Sequence, residues 1–226
     1  MGSDDIHKRK KRERRSRKEA TKDLTPYRFL IVCEGEKTEP SYFMPLKKKL
    51  EEKFKDLVNI KVMKKTEFIE VHGTGRNTES LVEYTKKQSR DAIIPFGHIW
   101  CVFDKDSFTP SQFNDAICDA KNNNMKVAWS NEAIELWFLL HFEFINTGIT
   151  RDQYIDKLNK YFKDYGIGNG KYEKNSKDIY DLLETYGSQK LAISNAKKLL
   201  REGTDYANMK PATTVFELVE ELKSYL

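Results

Sequence analysis

The sequence predicts an α/β fold in which a mostly parallel, Rossmann-like sheet is covered by helices and followed by a helical C-terminal subdomain. Three observations carry that prediction. From residue 26 to about 140, short apolar runs alternate with amphipathic stretches, the pattern of strand–helix–strand units. Two of the runs, Arg28-Phe29-Leu30-Ile31-Val32-Cys33 and His98-Ile99-Trp100-Cys101-Val102-Phe103, are nearly continuous in apolar residues, as strands covered on both faces are. Beyond about 148 the alternation stops and only helical periodicity remains. The organisation implied is a basic, disordered arm over 1–25, an α/β domain over 26–147 and a helical subdomain over 148–226.

The first strand is expected over about 27–33, after Pro26. A helix over 39–54 follows, with Tyr42, Phe43, Leu46 and Leu50 on its inner face; Thr38, Glu39 and Pro40 read as an N-cap, an acidic first turn and a first-turn proline. Alternating residues predict strand over 58–63 and 67–72, interrupted by Lys64-Lys65. In His72-Gly73-Thr74-Gly75-Arg76-Asn77-Thr78, two glycines precede a helix that runs to about 89 and is packed through Leu81, Val82 and Tyr84. Backbone amides in such a loop can face an anion, and Arg76 can hold a phosphate. The loop lacks the full dinucleotide pattern and the P-loop lysine, so a plain connection capped by Asn77 or Thr78 is the stronger reading. A strand over 98–103, a helix after Pro110 with Phe113, Ala116, Ile117 and Ala120 inward, a short strand over 126–130 and an apolar helix over 131–142 complete the first part. The remainder reads as helices over 150–163, 173–184, 188–202 and 213–225, with no further strand.

The charge is unevenly placed. Residues 1–23 hold ten of the 40 Lys/Arg and five of the 35 Asp/Glu, which leaves 30 of each sign over residues 24–226. The whole formal excess of +5 therefore lies in the arm, on Arg9, Lys10, Lys11, Arg12, Arg14, Arg15, Arg17 and Lys18 among others. A basic arm attracts phosphate backbones by counterion release, and nucleic-acid contact is the expectation; a solubilising tail or an arm docked on an acidic partner are the alternatives. No apolar stretch approaches the roughly 20 residues of a membrane span, and no apolar leader is present, so a soluble, cytoplasmic protein is expected. The three cysteines have no paired spacing, which excludes a disulfide framework and a zinc motif; Cys33 and Cys101 read as buried, reduced thiols.

The chemistry sits at strand ends. The run ending in Phe103 meets Asp104-Lys105-Asp106, and the run ending in Cys33 meets Glu34-Gly35-Glu36-Lys37-Thr38-Glu39. Two carboxylates one residue apart repel unless something neutralises them, and hard oxygen ligands at a strand's carboxyl end suit Mg²⁺ or Mn²⁺. Ligands of open α/β sheets bind outside those ends. The same residue types also serve as helix caps and turn residues. Glu135, in the apolar Ala133-Ile134-Glu135-Leu136-Trp137, reads as a metal ligand, a partner of a lysine or a cap on a backbone; Glu132 suits a helix first turn. His141 reads as a core histidine. These residues point to phosphoryl transfer: aspartates holding a metal, a glutamate moving a proton, and Lys105 or Lys37 steadying the developing charge. No nucleophile elbow occurs and no Cys–His pair is evident.

Phe29 through Cys33 with Glu34-Gly35-Glu36-Lys37-Thr38-Glu39-Pro40-Ser41-Tyr42-Phe43, then Trp100-Cys101-Val102-Phe103-Asp104-Lys105-Asp106, then Ser130-Asn131-Glu132-Ala133-Ile134-Glu135-Leu136-Trp137-Phe138-Leu139-Leu140-His141-Phe142, resemble the RloB-like proteins. The basic arm and Pro211-Ala212-Thr213-Thr214-Val215 are similar as well, so the resemblance runs essentially end to end. It implies a Toprim-type α/β domain, the module of topoisomerases, primases and overcoming-lysogenisation-defect nucleases. Residue by residue, it implies that Glu34 acts in proton transfer and as a metal ligand and that Asp104 and Asp106 bind Mg²⁺. Glu39, five positions after Glu34 where the nuclease pattern has four, and Glu135 correspond in place to further acids of that branch. The resemblance also implies an SMC/ABC-type ATPase partner, RloA, in bacterial restriction and abortive-infection loci.

The expectation is a Mg²⁺-dependent nuclease of anti-phage defence, cutting DNA or RNA, with transfer RNA as one substrate by analogy, acting beside an ATPase and open to homo-oligomerisation. The alternatives are a non-catalytic adaptor that binds nucleic acid and the ATPase, and a primase-like nucleotidyl transferase that would need the Gly73-x-Gly75 loop as its triphosphate site.

Overall fold

A computed structural model describes residues 27–54, 68–106 and 108–226. The basic arm and the strand expected over 58–63 lie outside the described residues. Among those described, five strands form one sheet: β1 (Phe29–Cys33), β2 (Ile69–Gly73), β3 (His98–Asp104), β4 (Lys126–Asn131) and β5 (Ala212–Thr213). Eight α-helices accompany them: α1 (Thr38–Lys53), α2 (Thr78–Asp91), α3 (Pro110–Asn122), α4 (Glu135–Leu139), α5 (Arg151–Asp164), α6 (Ile179–Tyr186), α7 (Gln189–Leu199) and α8 (Val215–Ser224). None of these helices is long and apolar enough to cross a membrane.

The strand order is β2-β1-β3-β4-β5, parallel through β4, with β5 antiparallel at the edge. All five residues of β1 are fully buried, which is why that strand is apolar without alternation. The chain leaves β1 through α1 to reach β2 on one side, then returns through α2 to β3 on the other. The order therefore reverses between β1 and β3, the place where an open α/β sheet leaves a crevice for ligands. Cys33 pairs in register with Val102, so Glu34 and Asp104 emerge side by side at this crevice.

Several expectations are corrected. Thr38 is the first residue of α1 rather than its cap; Lys37 holds the cap position and makes no side-chain capping bond. The helix expected over 131–142 shrinks to Glu135–Leu139, because β4 runs on to Asn131 and the chain bends at Glu132 before coiling. The helix expected over 173–184 begins only at Ile179. The C-terminal half was expected to hold no strand, yet Ala212 pairs with Asn131 and Thr213 with Ser130. Thr214 explains the strand: its hydroxyl accepts from the Trp129 N–H (2.9 Å) and donates to the Val127 carbonyl (3.1 Å), fixing the segment against β4. Other starts follow their sequence signals. Asn77 caps α2, and Thr109 with Gln112 and Thr150 with Gln153 form capping boxes on α3 and α5.

One apolar cluster joins the sheet to the C-terminal helices; it includes Phe29, Ile31, Phe43, Leu139, Leu158, Leu183 and Val219. Tyr42 of α1 anchors the junction, with its ring centroid 5.5 Å from Phe138 and from Tyr180 and 6.4 Å from Trp137. Each large apolar side chain fully buried in this way stabilises the fold by roughly 1.5–3 kcal/mol. His141 lies inside it: its Nδ1 is 2.9 Å from the Trp137 carbonyl, and burial lowers its pKa to about 4, as befits a neutral core histidine.

Candidate functional site

The carboxyl ends of β1 and β3 open into a cavity of about 430 Å³. Glu34, Glu39, Asp104, Asp106 and Glu135 all line it, so five acids predicted from scattered segments come together. The backbone dictates each placement. Glu34 follows β1, and its N–H donates to the Val102 carbonyl (2.9 Å); its Oε2 in turn accepts from the Asp104 N–H (3.1 Å). Glu39 sits in the first turn of α1, where an acid suits the helix dipole. Its carboxylate lies against Gly35: a Cβ at residue 35 would stand 2.1 Å from Glu39 Oε2, so any side chain there would have to displace the Glu39 carboxylate. Asp106 has φ 33°, a left-handed conformation uncommon outside glycine. Glu135 is fully buried within α4, whose five residues are all buried.

The acids outnumber their partners. Arg151, the first residue of α5, reaches into the cluster: its guanidinium lies 2.9 Å from Asp104 Oδ2, 2.9 Å from Asp106 Oδ2 and 3.5 Å from Glu135 Oε2. The first two contacts are charge-assisted hydrogen bonds. The third is an ion-pair distance without hydrogen-bond geometry, and both Glu135 Oε2 and Arg151 Nε are buried with no hydrogen-bond partner. Glu135 Oε1 accepts from the Tyr172 hydroxyl (3.2 Å).

The titration of the cluster reflects this deficit. Burial raises the Glu34 pKa to about 7, a bond from the Asp104 N–H opposes the rise, and the charges of Glu39 and Asp106 add to it. Burial raises Glu39 and Asp104 too, and the neighbouring carboxylates outweigh what one guanidinium can offset. Burial alone would lower the Arg151 pKa, but Asp104, Glu135 and Asp106 raise it, so its charge is fixed.

Not every predicted residue arrives. Lys105 is half-buried and is not among the residues lining the cavity; Lys37, Lys174 and Asn175 are. Glu132 pairs instead with Lys210 (3.0 Å). Arg76 lies over the Tyr84 ring (4.7 Å), away from the cavity lining. The Gly73-x-Gly75 turn is a close packing device: a Cβ on Gly73 would stand 2.5 Å from the Glu36 carbonyl oxygen, and Gly75 has φ +62°. The eight arm residues from Arg9 to Lys18 lie outside the described residues. Sequence reasoning missed Arg151 and Tyr172. One signal for Arg151 was legible: an arginine directly after the Thr150 cap opposes the helix dipole, and needs anions to hold it there.

In chemistry the donor set fits a hard divalent cation: the cavity is lined by six carboxylates, and one carboxylate oxygen, Glu135 Oε2, is buried without a hydrogen bond. In arrangement it does not yet: among the described residues, no three His, Cys, Asp or Glu side chains stand in a metal-holding group. The guanidinium occupies the oxygens such a group would use.

Fold and cavity thus define an α/β protein with a ligand-type acidic site at the strand-order reversal. The family model of the RloB-like proteins matches residues 29–222, most of the chain. The chain belongs to the RloB-like family. No curated protein and no solved structure matches it.

Proposed function

We propose that this RloB-like protein is a Toprim-type, Mg²⁺- or Mn²⁺-dependent nuclease that cleaves phosphodiesters of DNA or RNA in bacterial anti-phage defence, beside an SMC/ABC-type ATPase. The observation that carries the reading is the convergence of Glu34, Asp104, Asp106 and Glu135 on one cavity at the β1/β3 crevice. Asp104 and Asp106 are the residues to hold the cation, with Glu135 and Glu39 beside them. When bound, a divalent cation neutralises these charges and polarises a phosphodiester oxygen. Glu34, with a pKa of about 7, is suited to take a proton from an attacking water at neutral pH and return it to the leaving oxygen. Lys37 and Lys174 line the cavity as cations available to flanking phosphates. The defence context and the ATPase rest on the family resemblance.

A second reading is a non-catalytic adaptor. The observation on its side is that Arg151 already pairs with Asp104 and Asp106, with no metal-holding group among the described residues.

The deciding experiment expresses wild type and the Asp104→Ala/Asp106→Ala variant with the ATPase of the same locus, challenges the cells with phage, and sequences DNA and RNA for new ends. New ends in wild type alone are expected. Protection that survives the double variant without new ends would replace the nuclease with the adaptor.

A further inference from the structure

Arg151 comes from the C-terminal half of the chain, yet its guanidinium engages three carboxylates delivered by β3, the turn after it and α4. It does so from the first turn of α5, where the helix dipole disfavours a cation. The contacts are also incomplete. Two are hydrogen bonds at 2.9 Å, but the third leaves Glu135 Oε2 and Arg151 Nε buried without a hydrogen bond. A guanidinium that served the fold alone would be expected to have all its buried donors met. A planar fork also cannot gather carboxylates around a point, as a small divalent ion does.

From this we infer that Arg151 is an internal counter-cation that competes with the divalent cation for Asp104, Asp106 and Glu135, so that metal binding requires its release from them. The inference rests on the metal-site reading above and adds a residue that sets the affinity of that site. It accounts for two facts together: the cluster is rich in hard oxygen donors, and its present arrangement holds no metal-binding group among the described residues. It also gives the C-terminal helices a role, since α5 carries the residue that sets cation affinity at the carboxyl end of the sheet. Released, the guanidinium remains tethered beside the cavity, where a substrate phosphate is its natural partner.

The test is a Mn²⁺ titration of the full chain followed by electron paramagnetic resonance of the free ion, on wild type, Arg151→Gln and Arg151→Lys. Loss of a competing, bidentate cation should tighten Mn²⁺ binding on the order of 10-fold in Arg151→Gln. Arg151→Lys keeps the charge without the fork and should fall between the two; it also serves if Arg151→Gln does not fold. In wild type, the ¹⁵N resonance of Arg151 Nε should move on addition of Mg²⁺. Equal or weaker Mn²⁺ affinity in the variants, or an unmoved Nε resonance while Mg²⁺ binds, overturns the inference and leaves the metal site standing. Absence of Mn²⁺ binding in all three proteins removes the metal site itself, and the inference with it.

Discussion

The two ends of the sheet handle buried acid in opposite ways. At the amino end, one carboxylate has more partners than it needs. Glu221 of α8 accepts from His98 Nδ1 (2.8 Å), Trp100 Nε1 (2.7 Å) and Lys126 Nζ (2.6 Å), while Tyr225 donates to His98 Nε2 (3.0 Å). Burial would raise the Glu221 pKa, but these bonds hold it at about 2. At the carboxyl end, six carboxylates (Glu36 among them) line one cavity, Arg151 touches three of them, and Glu34 rises to about 7. The difference separates two uses of charge. A satisfied acid ties α8 to the sheet, whereas an acid cluster left short of positive charge costs stability and is retained where a ligand completes it.

The largest expected effect comes from Glu34→Gln, which keeps size and removes proton transfer. It should lower phosphodiesterase activity by about 10²–10⁴-fold without lowering the melting temperature of the metal-free protein. Loss of fold rather than activity would erase the contrast between the two ends. The mirror change, Glu221→Gln, should cost roughly 2 kcal/mol in urea unfolding, since it weakens charge-assisted bonds at a site that keeps some contact with solvent. Activity well below the melting temperature should be unchanged.

pH sharpens the comparison further. The Glu34 carboxyl titrates near 7 in the folded chain against an ordinary value of 4.5, so between these values the folded state binds more protons and stability falls as pH rises. His141 acts oppositely: folded at about 4 against 6.5, it costs stability as pH falls through that window. The two nearly cancel in the wild type, and the comparison with Glu34→Gln isolates the first. Metal-free Glu34→Gln and wild type should be equally stable near pH 4.5, and the variant should gain about 2 kcal/mol over wild type by pH 7, a value that allows for the partial exposure of Glu34. A stability difference that does not change with pH would mean Glu34 is not held neutral by its neighbours. The smallest effect is expected from Gly35→Ala, whose Cβ displaces the Glu39 carboxylate; Mn²⁺ affinity should drop about tenfold. Unchanged affinity would take Glu39 out of the site.

Most of the sheet was legible because its strands are punctuated by Gly, Pro and acids and its helices by caps: β1, β3, β4, α2, α3 and α5 fall within a residue or two of expectation. What escaped was tertiary. β5 is two residues long, and its pairing depends on Thr214 bonding to β4, which no periodicity announces. The helix after β4 was overdrawn because apolar residues there are buried on every side, so burial imitates helical pattern. The acids were legible because they follow apolar runs at strand ends. Arg151 and Tyr172 were missed: a first-turn arginine hinted at an anionic partner, but both residues reach the cavity only when the C-terminal helices fold against the sheet. Lys105, adjacent in sequence to both aspartates, is not among the residues lining the cavity; it lies past the end of β3, where the chain turns at Asp106.

Calorimetric titration of Mn²⁺ into wild type and Asp104→Asn/Asp106→Asn tests the central claim most directly. The account predicts saturable binding in wild type that is lost in a double variant which still unfolds cooperatively. Equal binding by both proteins, or none by either, would contradict it.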